Sequence, residues 1–143
     1  MKSRILQFAA VLALVIPGTT AVRAQTTTNH ILLRAHIPFA FVAGGTYLPA
    51  GEYRIYHPGN PYVIVIEKND TTARAMTYVR PSAIKPGENS TKLLFNKYGN
   101  EYFLAQVWTE RNQEMHQCFK CRMERALIAQ ARKPTAVVVA GMR

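Results

Sequence analysis

Aspartate occurs once in this chain, at position 70, tryptophan once, at 108, and cysteine only twice, at 118 and 121. Each scarcity excludes something. A lone aspartate in the turn-like "NDTT" leaves a calcium or magnesium cage short of carboxylates. Beyond residue 24 only Ser82 and Ser90 offer serine hydroxyls, and neither lies in a Gly-x-Ser-x-Gly setting, which argues against a serine nucleophile. No Gly-rich phosphate loop and no His-Glu-x-x-His is present. Glutamates such as Glu101 and Glu110 carry nothing to mark one as acid and the other as base. There is no internal repeat and no low-complexity stretch. We therefore expect no enzyme and no cofactor.

Long apolar runs are also missing. The longest, over 5–16, falls short of the eighteen or so residues of a membrane helix. Lys2 and Arg4 precede it, Pro17 and Gly18 break it, and Val22-Arg23-Ala24 offers small side chains for cleavage before Gln25. That layout predicts a secretory signal peptide over 1–24, hence export to the periplasm or beyond. No cysteine follows the run to take a lipid, and no transmembrane segment is expected after cleavage. Without Lys2, Arg4 and Arg23 the mature chain has 119 residues, 15 basic and 8 acidic, a formal charge of +7. One domain fits this length. The positive balance favours an anionic partner; export points to an envelope lipid or polysaccharide rather than nucleic acid.

What is abundant is strand pattern. Ile31, Leu33, Ala35, Ile37, Phe39 and Phe41 alternate with Leu32, Arg34, His36, Pro38 and Ala40, the signature of a half-buried strand at an edge or bulged at Pro38. Gly44-Gly45 and Pro49-Ala50-Gly51 mark turns. "GEYRIYH" alternates again, and "YVIVIEK" suits a central strand covered on both faces. "ARAMTYV" follows. "TKLLFNKY" and "EYFLAQVW", joined by Gly99-Asn100, read as a tight hairpin. From 119 to 133 there is no glycine or proline, and Phe119, Met123, Leu127 and Ala131 recur at helical spacing before Pro134. We expect a mainly β fold of six to seven strands. It forms a small antiparallel barrel or sandwich over 25–133, with one C-terminal amphipathic helix at 119–133. Residues 134–143 form a tail, either an edge strand or a loose end.

Lys120, Arg122, Arg125, Arg132 and Lys133 make that helix cationic, with Glu124 its lone acid. These five are the candidate contact for an anionic partner. Cys118 and Cys121, at i and i+3, would share a helix face within reach of a disulfide, and an exported protein meets oxidising conditions. A structural clip is the first reading. The alternative is thiol–disulfide exchange, which lacks the usual βαβ setting. His116, Cys118 and Cys121 supply three zinc-ligand types, only half of a structural site. Haem attachment fails because Arg122 stands where histidine is needed. His30, His36 and His57 are read as surface or core-edge residues. Seven tyrosines and Trp108 either line a ligand cleft or pack across strands.

"IPFAFVAGGTYLPAGEYRI" (37–55), "KLLFNKYGNEYFLAQVW" (92–108) and the Glu-Arg of "MERAL" resemble a family of small uncharacterised exported bacterial proteins. Its marks are a signal peptide, a Leu-Pro-Ala-Gly-Glu-Tyr turn, a Phe-x-x-Tyr-Gly hairpin and a basic C-terminal helix. The resemblance spans residues 31 to 130 and implies a shared fold; it says little about chemistry and supplies no catalytic residues to carry over. Ahead of the Glu-Arg pair, where a small polar residue is expected, this chain has Cys118 and Cys121, so their role is particular to it.

Overall fold

Alternating side chains become strands in the computed structural model, which describes residues 29–84 and 90–142. The expected signal peptide lies outside the described residues. The order is β1 (His30–Ile37), β2 (Phe41–Ala43), β3 (Thr46–Leu48), β4 (Gly51–His57), β5 (Val63–Lys68), β6 (Arg74–Ala83), β7 (Lys92–Tyr98), β8 (Glu101–Thr109), β9 (Glu114–Cys118), α1 (Arg122–Ala129) and β10 (Thr135–Ala140). The fold is mainly β, with ten strands among the described residues rather than six or seven. Three short pieces account for much of the difference. Gly44 and Gly45, at φ +56° and +85°, form a two-residue turn that folds β2 and β3 into their own hairpin. A Cβ at Gly44 would collide with the Met76 carbonyl oxygen, so only glycine fits there. β9 adds a further strand ahead of the helix.

Ladders run β1-β4-β5-β6-β9-β8. β8 also pairs with β7 and, in parallel at Val42–Phe103, with β2. β10 pairs with β7 from Thr135–Lys97 to Ala140–Lys92. The sheet is not closed, so the expected barrel is not established. β1 and the chain beyond β10 meet at a single bridge, where the N–H of Arg34 donates to Met142 (2.7 Å) and the N–H of Met142 donates to Arg34 (2.6 Å).

The core lies on the inner face, where Leu33, Ile37, Phe41, Tyr53, Ile55, Ile64, Ile66, Leu93, Phe95 and Val107 are essentially inaccessible. β5 is buried from Val63 to Ile66 on both faces, as its unbroken apolar run suggests. β1 departs from simple alternation. A register shift between Ile31 and Leu33 leaves Leu32 as an extra residue, so Leu32 turns inward and Ile31 outward at 45% exposure. The strand ends at Ile37, before Pro38.

The helix is shorter than expected, eight residues instead of fifteen. At its start, β9 extends the sheet to Cys118, and the N–H of Phe119 still donates to the Tyr78 carbonyl. At its end, Ala131 sits at φ +59° and donates to Ile128, while Arg132 donates to Leu127. This is a Schellman stop with alanine in the position glycine usually takes. No glycine announced it in the sequence.

Candidate functional site

α1 turns Met123, Glu124 and Leu127 towards the sheet and its basic side chains away from it. Met123 and Leu127, with Cys121, pack on a small cluster of Val42, Tyr98 and Phe103. Between them Glu124 is buried at 3% exposure. Its Oε1 accepts from the Asn96 amide (2.9 Å), the Tyr98 hydroxyl (3.2 Å) and the Lys120 ammonium (3.4 Å). Asn96 and Tyr98 belong to β7, so this one carboxylate fastens the helix to the β7–β8 hairpin. Burial, and then the Glu124 charge, hold the Tyr98 phenol above its ordinary range.

The consequence is a separation of charge. The helix's only acid is consumed inside, while Lys120, Arg122, Arg125, Arg132 and Lys133 are all exposed. Among the described residues, no carboxylate lies within ion-pair distance of Arg122, Arg125, Arg132 or Lys133. The Arg132 guanidinium lies against the hairpin turn at Gly99. Ile128 (41% exposed) follows Arg125 by three residues, and Phe119 (54%) adjoins Lys120. Arg80 lies over the Phe119 ring at 5.7 Å.

The structure does not bring the cysteines together. Both are free thiols, and the expected disulfide is not formed. The physical reason is that they do not share a helix: Cys118 ends β9 inside the main core, and Cys121 caps α1 against the β2–β3 turn. Burial, and then Glu124, push the Cys118 thiol up to about 12. A reactive thiolate needs the opposite shift. Cys121 is half-exposed in a shallow cavity of about 230 Å³ with Gly44, Met76, Tyr78 and Phe119. The zinc set His116, Cys118 and Cys121 is likewise not assembled, and no group of three metal-ligating side chains forms among the described residues.

His116 instead meets a partner that sequence spacing did not reveal. It is buried at 1% exposure, and its Nε2 lies 3.2 Å from Nε2 of His57, across the interior from β9 to β4. Nδ1 of His57 lies 2.7 Å from the Val63 carbonyl, which can only accept, so His57 carries its proton there. His116 then donates to His57 through Nε2, and its own Nδ1 is left buried without a partner. Desolvation first, and then His57, hold His116 below the ordinary histidine range, with Glu114 and the nearby Val107 backbone, too poorly aligned to count as a hydrogen-bond partner for Nδ1, opposing. The alternation of β4 carries the signal: His57 continues the inward series Tyr53 and Ile55. Glu124, Asn96 and Tyr98 had no comparable signal. The tyrosines do not line one cleft: Tyr53 and Tyr98 are buried, while Tyr47, Tyr62 and Tyr78 stand in solvent.

Among the described residues no helix is long and apolar enough to cross a membrane. No family model, no curated protein and no solved structure matches the chain.

Proposed function

We propose that the protein is an exported, non-catalytic module of the cell envelope that docks through the α1 end on an anionic lipid surface. The observation that carries this reading is a separation of charge, with Glu124 buried and four cations exposed and unpaired among the described residues, Arg122 and Arg125 on α1 and Arg132 and Lys133 just after it. Exposed Ile128 follows Arg125 by three residues on α1, and exposed Phe119 stands beside Lys120 and under Arg80. That mixture suits a headgroup region, where apolar groups enter and cations meet phosphates. A polysaccharide would use the cations and leave the apolar groups idle. Each basic side chain near an anionic bilayer contributes about 1 kcal/mol, so the contact is reversible and weakened by salt.

Export rests on the leader-like segment and on the resemblance to a family of exported proteins. The sheet, brought end to end at Arg34 and Met142, we read as a barrel with one loose seam. The thiol–disulfide alternative loses support from the burial of Cys118.

The test is co-sedimentation of the mature chain with phosphatidylglycerol-containing and purely zwitterionic vesicles at low and high salt. Binding to the anionic vesicles alone, lost in salt and in an Arg122/Arg125/Arg132/Lys133→Gln variant, is the expected result. Absence of binding at low salt overturns the proposal, and so does preference for an anionic polysaccharide over the vesicles.

A further inference from the structure

We infer that the seam of the sheet carries a binding pocket for a small, hydroxyl-bearing organic anion the size of one sugar acid. The inference stands apart from the reading of α1: the pocket lies at the Thr91 and Thr109 end of the β7–β8 hairpin, and α1 lies against the Gly99 turn at the other end. The cavity, of about 310 Å³, is lined by Ile31, Leu32, Arg34, Thr91, Thr109 and Arg111. That volume is at the small end of ligand sites, which suits a single small molecule.

Two arginines line this cavity from separate parts of the chain, Arg34 from β1 and Arg111 from the turn after β8. No carboxylate lines it among the described residues, and neither arginine has an ion-pair partner there. Glu110, next in the chain to Arg111, meets the wall through its backbone N–H, which donates to the Thr91 hydroxyl oxygen at 3.3 Å. That leaves the Thr91 O–H proton free to donate to a ligand. The Thr109 hydroxyl donates to the Glu114 carbonyl (3.3 Å) and the residue is buried at 2% exposure, so it braces the wall against β9. The walls therefore offer two cationic residues and one hydroxyl donor. Ile31 and Leu32 supply an apolar surface for a C–H face. An anionic group paired with a hydroxyl matches that set, and paired guanidiniums favour carboxylate or phosphate geometry.

The backbone holds the site in shape. The β1 bulge turns Leu32 inward beside the cavity and opens the ladder there, a common use of bulges. On the other side the N–H of Gly141 donates to the Thr91 carbonyl (3.0 Å), and a Cβ at Gly141 would press on Thr91 at 2.9 Å. The Arg34–Met142 bridge closes the frame through backbone atoms, so the Arg34 side chain can be changed without breaking it.

The experiment titrates the mature chain, labelled with ¹⁵N, with glucuronate, glucose 6-phosphate, inorganic phosphate and glucose. Saturable shifts at Arg34, Thr91 and Arg111 with glucuronate or glucose 6-phosphate, and none with glucose, are expected; which of the two binds more tightly separates carboxylate from phosphate. Arg34→Gln and Arg111→Gln, each at an exposed side chain, should each weaken binding about tenfold or more. Arg122→Gln with Arg125→Gln should leave it unchanged. The inference is overturned if neither sugar anion saturates by about 10 mM. It is equally overturned if inorganic phosphate alone binds, an adventitious ion only, or if binding survives both pocket variants or is lost with the helix variants.

Discussion

A neutral imidazole buried at 1% exposure against a second imidazole makes stability depend on pH, and the direction follows from the pair's geometry. Free histidine titrates near ~6.5. Desolvation and His57 hold folded His116 below that value, so between the two the unfolded chain binds more protons than the folded one. His116's contribution is complete above ~6.5 and is lost as pH falls through that value, with a slope of up to ~1.4 kcal/mol per pH unit until folded His116 itself protonates. Urea unfolding at a series of pH values from 7.5 down to 5 should show this fall, and His116→Leu should flatten it. A slope that persists in the variant assigns the effect to another group. Cys118 and Cys121 give a second residue-scale expectation. At pH 8 a disulfide reagent should titrate Cys121 in the native protein and reach Cys118, pushed up to about 12, only after denaturation. Two fast thiols in the folded state would contradict the burial of Cys118.

α1 joins a local conflict to a tertiary anchor. Ala131 holds a left-handed conformation that costs an L-residue about 1–2 kcal/mol, whereas glycine gives up only its greater freedom when unfolded. Ala131→Gly should therefore stabilise the protein by ~0.5–1 kcal/mol and raise its melting temperature by about 2–5 °C, measured by calorimetry. No gain would mean the stop is set by Pro134 alone. The anchor is Glu124. Glu124→Ala strands the Asn96 amide and Tyr98 hydroxyl and should cost ~2–3 kcal/mol by urea unfolding, while Glu124→Gln keeps an acceptor and should cost less. Equal losses would show that the charge, not the hydrogen bonding, holds the helix. Spacing in the sequence identified the cationic residues and an apolar face containing Met123 and Leu127. It placed the start of the helix too early, because Phe119 fits a helical face as well as the end of a strand. It also left Glu124 among the charges, because one acid amid five bases looks solvated until its partners on β7 come into view.

Across the molecule, strand identity was legible and strand order was not. Period two marked β1, β4 and the β7–β8 hairpin because one face of each is buried. Nothing local announces that β6 pairs with β9 or that β2 lies parallel to β8, since those choices depend on how distant strands pack against Phe41, Phe95 and Tyr53. The same holds for the seam. The pocket there joins Ile31 to Arg111 through residues far apart in the chain, so no motif could have shown it. Mechanically the seam is the weak line of the sheet. β5 is laddered on both sides and buried throughout its apolar run, whereas β10 is laddered to β7 alone, with the Arg34–Met142 bridge just beyond its end. Local opening follows low contact and exposed backbone. Native-state hydrogen exchange should therefore find the β10 amides opening at lower free energy than those of β5. Met142→Pro removes the N–H that donates to Arg34 and should speed exchange in β10 and the first half of β1 while leaving β5 at its global value. If β10 is instead as protected as β5 and the proline variant slows nothing and speeds nothing, the sheet is held there by more than one bridge, and the seam is as strong as any other ladder.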